Sequence, residues 1–191
     1  MATELSPVEA VNIANSAYAM TGGLDIQSAQ ASVGQSIRQQ FDIAKLQRLT
    51  GSSGVAGFSA TTGFGYVAFG LPNTIRSKDV LIVIKGTEGV HDWVTDLHTS
   101  GVSGSGGFLV HEGFWHIASG ILKQVSSLLS AKQTATVHVV GHSLGGGIAN
   151  LVAGALQAEG RFIKLYTFAS PRVGLSAYAQ HLNRSIGRDN I

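Results

Sequence analysis

The stretch TVHVVGHSLG, residues 136–145, decides the fold of this chain. It begins as a short apolar run, and Gly141-His142-Ser143-Leu144-Gly145 then follows the pattern Gly-x-Ser-x-Gly. Residues 144–157 continue with apolar side chains at helical spacing, so the pattern lies between a predicted strand and a predicted helix. In this context the glycines permit a strained turn that lifts the serine hydroxyl clear of a sheet. Ser143 is therefore the predicted nucleophile.

The start of the helix after Ser143 offers a way to stabilise negative charge. Its unpaired N–H groups and positive dipole end favour the oxyanion of a tetrahedral intermediate. We expect the Leu144 amide to be the first donor. A glycine-rich turn without chemistry is the alternative, and the flanking strand and helix weaken it.

The rest of the chain predicts strands that alternate with helices. Helices are expected over residues 7–20, 32–49, 113–130 and 144–157, and strands over residues 66–69, 80–84, 136–140 and 165–169. This alternation predicts an α/β fold with a largely parallel central sheet and helices on both faces. With 191 residues, of which 44% are hydrophobic, a single domain is expected. Residues 1–54 would supply N-terminal helices and residues 55–191 the core.

Composition argues against several other classes of protein. The chain has 13 Lys and Arg against 11 Asp and Glu and no basic run, so nucleic-acid binding is not expected. It has no cysteine, which excludes disulfides, a thiol nucleophile and thiolate metal ligands. Neither a membrane-spanning run nor a secretory leader is recognisable. We therefore expect a soluble protein, either cytoplasmic or exported by a signal-independent route.

Five separated motifs occur in a characteristic order. They are KGT at residues 85–87, DWVTDL at 92–97, VHEGF at 110–114, GHSLGG at 141–146 and YTFASPRVG at 166–174. Between residues 66 and 174 the chain thus resembles the class 3 (fungal-type) lipase family, which has the α/β-hydrolase fold. The resemblance implies a serine hydrolase of acylglycerols, phospholipids or other lipid-like esters. It implies an acyl-enzyme at Ser143 and no metal or organic cofactor.

The resemblance also assigns a role to Thr87, which follows the predicted strand at residues 80–84. In this family that position holds the other oxyanion-hole residue, beside the Leu144 amide. The loss of one such donor typically costs about 2.7–4 kcal/mol of transition-state stabilisation. An ordinary threonine at a strand end is the alternative.

A short amphipathic helix is predicted directly after Thr87. Val90, Trp93, Val94 and Leu97 recur at i, i+3, i+4 and i+7. The glycine-rich residues 100–107 that follow are expected to form a mobile loop that lets this helix lift. The resemblance implies a lid or pocket cover here, with transient contact to a membrane or lipid interface. The alternative is that the four side chains are ordinary core contacts.

Ser143 needs a histidine base and an acid, which follow the serine in that family in the order acid, then histidine. The only downstream acids are Glu159 and Asp189, and the only downstream histidine is His181. Glu159 belongs to the far end of the helix after Ser143, about 24 Å away at helical rise. His181 precedes Asp189, and Asp189 precedes the expected position of the acid.

We therefore expect the acid and histidine beyond Ile191, and we expect residues 1–191 alone to be nearly inactive. The remaining histidines, among them His138 and His142, are not expected to be catalytic. The alternative function is a non-catalytic binding or interaction module built on a degenerate or truncated hydrolase fold. An inhibitory or complementing protein partner remains open.

Overall fold

The computed structural model describes residues 4–20, 25–53, 60–86, 100–130 and 134–191. The helices are α1 (Pro7–Tyr18), α2 (Ile26–Ser32), α3 (Gln35–Arg38), α4 (Glu112–Ser130), α5 (Leu144–Ala158) and α6 (Ser176–Ser185). The strands are β1 (Gln47–Ser53), β2 (Ala60–Phe69), β3 (Val80–Ile84), β4 (Gly101–Ser103), β5 (Leu109–His111), β6 (Val137–His142) and β7 (Ile163–Phe168). Short 3₁₀ turns cover Ile43–Lys45, Ser105–Gly107 and Arg188–Asn190.

Five strands form the central sheet in the order β1-β2-β3-β6-β7. The pairs β3–β6 and β6–β7 are parallel, with Gly141 opposite Ile84 on one side and Thr167 on the other. The pairs β1–β2 and β2–β3 are antiparallel. The predicted α/β-hydrolase-like fold is confirmed. Its sheet is mixed, with a parallel core at the β3-β6-β7 side.

Both faces of the sheet are covered by helices. Along β3, Val80, Ile82 and Ile84 belong to a core cluster that includes residues of α4, α5 and α6. Leu81 and Val83 alternate with them and belong to a second cluster that includes residues of α1, α2 and α3. This strict alternation buries all five side chains of the strand.

The start of α1 matches its sequence signals. The Ser6 hydroxyl accepts a hydrogen bond from the Glu9 N–H, while the Glu9 carboxylate accepts one from the Ser6 N–H at 2.9 Å. Pro7 occupies the first turn, where its missing N–H costs nothing. The predicted capping box is therefore present, and α1 ends at Tyr18.

The helix predicted over residues 32–49 is wrong. Only α3 is helical there, a 3₁₀ turn follows, and β1 begins at Gln47. Phe41 forms an isolated bridge with Gly70, and the Asp42 N–H donates to the Phe69 carbonyl at 2.8 Å. These pairings with the end of β2 override the local helical pattern, and Gly51 lies within β1 instead of ending a helix.

The mobile loop expected over residues 100–107 is also wrong. Strand β4 pairs with β5, and the Gly104 N–H donates to the Phe108 carbonyl at 2.8 Å. Gly106 and Gly107 close this hairpin with positive φ angles of 71° and 78°. The glycines therefore serve a tight turn in a region where we expected flexibility.

Candidate active site

Ser143 occupies a sharp turn between the end of β6 and the start of α5. Its backbone angles are φ 54° and ψ −127°, a conformation that side-chain-bearing residues rarely adopt. The Ser143 N–H donates to the Phe168 carbonyl at 2.9 Å, which ties the turn to the end of β7. Ser143 is half-buried. The strained turn is the one that the Gly-x-Ser-x-Gly pattern predicts.

Two glycines make this turn sterically possible. A Cβ atom at Gly141 would lie 2.3 Å from the Gly145 carbonyl oxygen. A Cβ atom at Gly145 would lie 2.3 Å from the Ile84 carbonyl oxygen on β3. Both distances are far below van der Waals contact with rigid backbone, so no larger residue fits at either position. The spacing of the motif thus reflects close packing of β3, β6 and α5.

The first turn of α5 provides hydrogen-bond donors next to Ser143. The N–H groups of Gly146 and Gly147 donate to the Ser143 carbonyl at 2.9 and 3.2 Å. The Leu144 and Gly145 amides belong to the first turn, where N–H groups have no intrahelical acceptor. The Leu144 amide directly follows Ser143, and its role as an oxyanion donor stays a prediction.

Two further motif segments pack against the start of α5. A Cβ atom at Gly147 would meet Phe114 of α4 at 2.6 Å and Val173 at 2.8 Å. The Asn150 side-chain amide donates to the Ser170 hydroxyl at 2.9 Å. The segments around residues 110–114, 141–147 and 170–173 are thus brought together, although they are far apart in the sequence.

The second predicted oxyanion donor and the predicted lid lie outside the described residues. These residues are Thr87, Val90, Trp93, Val94 and Leu97. The described part of that connection ends at Gly86, two residues after β3. There the Lys85 N–H donates to the Phe64 carbonyl at 2.7 Å and the Lys85 ammonium to the Met20 carbonyl at 2.8 Å. The assignments of Thr87 and the lid remain predictions.

The acids and the histidine that follow Ser143 in the sequence contact other parts of the protein. Glu159 follows the last residue of α5 and accepts from the Ser126 hydroxyl. The His181 ring stacks on Phe108 with centroids 4.5 Å apart. Asp189 is exposed in a 3₁₀ turn and lines a cavity of about 270 Å³ beside β7. Among residues 4–20, 25–53, 60–86, 100–130 and 134–191, no side chain hydrogen-bonds to the Ser143 hydroxyl.

A buried polar cluster lies at the opposite end of β6. His138 Nε2 is 3.2 Å from Asp79 Oδ2 and 3.1 Å from Arg76 Nη1, and all three side chains are buried. Burial lowers the pKa of His138, although the hydrogen bond to Asp79 opposes this shift. Ser143 lies five positions after His138, about 16 Å along a strand. The cluster is therefore part of the core and not of the site.

Sequence reasoning did not find one side chain behind the nucleophile. The Tyr18 hydroxyl lies 2.8 Å from Nδ1 of His142, the residue before Ser143. The two residues are 124 positions apart, and a tyrosine at the end of an amphipathic helix carries no local signal of such a contact. Only the packing of α1 on the sheet brings them together.

Two other features bear on the kind of site this is. Within the described residues, no group of three or more histidine or acidic side chains is arranged to hold a metal ion. In the same part of the chain, no helix combines the length and hydrophobicity that crossing a membrane requires.

A strained serine between a parallel strand and a helix, at the carboxyl edge of a sheet covered on both faces, defines the α/β-hydrolase class. The sequence profile of one family within this class, described as lipase (class 3), matches residues 81–188. The match covers more than half of the chain, and the chain belongs to this family.

Named relatives agree with this assignment. The chain is 32% identical over 144 residues to secreted mono- and diacylglycerol lipase 1 of Fusarium solani, covering 71% of the chain and 42% of the relative. It is 34% identical over 127 residues to secreted mono- and diacylglycerol lipase A of Penicillium cyclopium, covering 62% and 40%. The chain thus spans about two fifths of the length of these curated relatives.

A solved triacylglycerol lipase, whose catalytic centre is formed by a serine protease triad, superposes with a TM-score of 0.63. The superposition covers 94% of this chain and 66% of that one, at 23% identity. At this level of identity, the similarity supports the fold.

Proposed function

We propose that the protein is a serine ester hydrolase that acts on lipid-like esters through an acyl-enzyme at Ser143. The strained Ser143 turn between β6 and α5 is the observation that carries this proposal. A serine held in this conformation presents its hydroxyl away from the sheet, beside the unpaired amides of a helix N-terminus. Both properties serve nucleophilic attack on an ester carbonyl.

The proposed reaction has two steps. The Ser143 oxygen attacks the ester carbonyl carbon while a histidine accepts the hydroxyl proton. The Leu144 and Thr87 amides stabilise the oxyanion, and the alcohol leaves with that proton. Water then hydrolyses the acyl-enzyme by the same route. No metal or organic cofactor takes part in this scheme.

The histidine and its acid partner are proposed to come from outside residues 1–191. Two observations support this: no described side chain bonds to the Ser143 hydroxyl, and the chain spans 42% of its Fusarium relative. Residues 1–191 alone should then react slowly, because the removal of triad members costs about 10⁴- to 10⁶-fold in kcat. Residual reactivity would come from the oxyanion donors.

The proposed substrates are acylglycerols and related esters. The relatives in Fusarium and Penicillium are named as mono- and diacylglycerol lipases, which supports this class. Val90, Trp93, Val94 and Leu97 are proposed to cover the pocket and to contact the lipid interface transiently. The same relatives are named as secreted proteins, which supports an exported protein. A complementing or inhibitory protein partner would fit the same scheme.

Covalent labelling tests the proposed nucleophile. The intact protein should be labelled by a p-nitrophenyl alkylphosphonate, with the added mass on the peptide that contains Ser143. Ser143→Ala should abolish labelling and hydrolysis of short-chain p-nitrophenyl esters. Ser119→Ala, which removes an exposed hydroxyl on α4, is the matched control and should label at the wild-type rate.

The result also separates the enzyme from a non-catalytic binding module. A binding module would resist the phosphonate and would show no esterase activity that depends on Ser143. Full esterase activity in Ser143→Ala would show that another residue is the nucleophile.

A further inference from the structure

The hydroxyl group of Tyr18 lies between two chain segments that lead into the proposed site. It is 2.8 Å from His142 Nδ1, and the two rings meet edge to face with centroids 5.6 Å apart. The backbone of Gly86 lies against the same oxygen. A Cβ atom at Gly86 would lie only 2.1 Å from this oxygen and 2.7 Å from the His142 carbonyl oxygen.

These two segments carry the two proposed sources of oxyanion stabilisation. His142 directly precedes Ser143 and the Leu144 amide, and Gly86 directly precedes Thr87. Their strands are parallel neighbours, and the last paired residues in the register are Ile84 and Gly141. The hydroxyl therefore joins the two segments just beyond the point where the strand pairing ends.

The hydrogen-bonding capacity of a phenol fits this position. A tyrosine hydroxyl has one proton to donate and can accept from other donors. The Tyr18 hydroxyl can therefore bond to His142 Nδ1 as donor or acceptor while it lies against Gly86. Burial raises the pKa of Tyr18, so the phenol keeps its proton at neutral pH. One side chain thus contacts both the Gly86 segment and the His142 segment.

The anchoring of α1 does not depend on this contact. The Ser16 hydroxyl on the same helix lies 2.6 Å from the Tyr66 hydroxyl of β2, and Ile13 and Ala17 are fully buried against the sheet. The Leu5 N–H also donates to the Tyr166 hydroxyl at 2.9 Å. Loss of the Tyr18 hydroxyl should therefore leave the helix in place and release only the two segments.

We infer that Tyr18 is a positioning residue for ester hydrolysis, which holds the His142 segment against Gly86 and so fixes the turn that carries Ser143 and the Leu144 amide. This inference rests on the proposed function. Oxyanion donors act only within hydrogen-bond distance of the developing charge. A small shift between the two segments therefore destabilises the transition state more than the ground state. The effect should therefore appear in kcat.

The test compares two variants that each remove one tyrosine hydroxyl. Tyr18 belongs to α1, and Tyr66 of β2 contacts α1 through Ser16. In the intact protein, Tyr18→Phe should lower kcat for a soluble short-chain ester about 10-fold, with KM within about two-fold of wild type. Its rate of labelling by the phosphonate should fall by a similar factor. Tyr66→Phe removes the bond to Ser16 and should lower the melting temperature while leaving kcat and the labelling rate unchanged.

A double-variant cycle tests whether Tyr18 acts through His142. His142→Ala removes the hydrogen-bond partner of Tyr18, so Tyr18→Phe should reduce kcat by a smaller factor in that background than in wild type. Equal factors in both backgrounds would overturn the inference. Circular dichroism measures the folded fraction of every variant, and each rate is divided by that fraction.

The outcomes also separate this inference from the proposed function. If wild type is labelled at Ser143 and Tyr18→Phe reacts within two-fold of wild type, the role of Tyr18 is overturned and the proposed function stands. Wild type that resists the phosphonate overturns both. If Tyr66→Phe and Tyr18→Phe lose the same amount of rate, the Tyr18 hydroxyl contributes only to stability. The inference would then be wrong.

Discussion

Ser143 and Ala169 follow neighbouring parallel strands and share a left-handed backbone, with φ angles of 54° and 49°. They are linked through Phe168, whose carbonyl accepts the Ser143 N–H at 2.9 Å. At Ser143 the strained conformation presents the proposed nucleophile. At Ala169 the side chain is an exposed methyl group, and the same conformation serves only to turn the chain toward Ser170. A similar positive φ thus has two different consequences at one edge of the sheet.

Ala169→Gly should therefore stabilise the protein. A Cβ atom in the left-handed region costs about 1–2 kcal/mol, and the greater freedom of glycine in the unfolded chain offsets part of this gain. We expect a net increase of about 0.5–1 kcal/mol in the free energy of unfolding, measured by urea denaturation. Ala179→Gly, at an exposed position within α6, is the control and should lower it by about 1 kcal/mol. Destabilisation by Ala169→Gly would argue against strain at this turn.

Two glycine substitutions on the helical side of the sheet should have opposite signs. Gly145→Ala places a methyl group 2.3 Å from the Ile84 carbonyl oxygen. It should lower the free energy of unfolding by about 3 kcal/mol and abolish the labelling of Ser143. Gly120→Ala, within α4, meets no atom within 4 Å and should stabilise by about 1 kcal/mol. Thermal denaturation of both variants measures the difference. A well-folded Gly145→Ala protein with normal labelling would contradict the close approach of β3 to α5.

The stability of the fold should depend on pH through His138. Burial holds its pKa below the ordinary value of 6.5, so the unfolded chain binds the proton more tightly than the folded protein does. The contribution is therefore fully present above about pH 6.5 and is lost as the pH falls toward the folded-state pKa. Urea denaturation between pH 8 and pH 5 measures this slope.

His138→Gln is the variant that isolates this effect. It should be less stable than wild type at pH 8, because its amide only partly replaces the bonds to Arg76 and Asp79. Its stability should vary less between pH 6.5 and pH 5, since it lacks the titrating group. Carboxyl groups contribute at lower pH, where both proteins lose stability. An identical slope in the two proteins would assign the pH dependence to other groups.

The capping box should contribute measurably to α1, the helix that carries Tyr18. Ser6→Ala removes the oxygen that accepts the Glu9 N–H and should lower the free energy of unfolding by about 1 kcal/mol. Ser127→Ala, at an exposed position of α4, is the matched control and should be neutral or slightly stabilising, because alanine is the better helix former. Equal effects of the two substitutions would mean that α1 is held by its packing alone.

Several elements were predictable because their local signals agree with their tertiary environment. Residues 80–84 form a short apolar run that is buried on both faces, and α5 combines a helical stripe with a preceding strained turn. Residues 32–49 failed because their partly helical pattern competes with pairing to β2, which no local pattern reveals. The glycines of residues 100–107 failed for another reason, since glycine serves both flexible loops and tight hairpins.

The sequence by itself determined the class of fold, the identity of the strained serine and the family, because the Gly-x-Ser-x-Gly pattern and its neighbours are local in the chain. Tertiary structure alone decided which distant groups contact that turn. Tyr18 reaches His142 across 124 positions, and the Phe168 carbonyl accepts the Ser143 N–H only because β6 and β7 lie side by side. Such contacts depend on how α1 and the strands pack, and packing is a property of the whole core and not of any one segment.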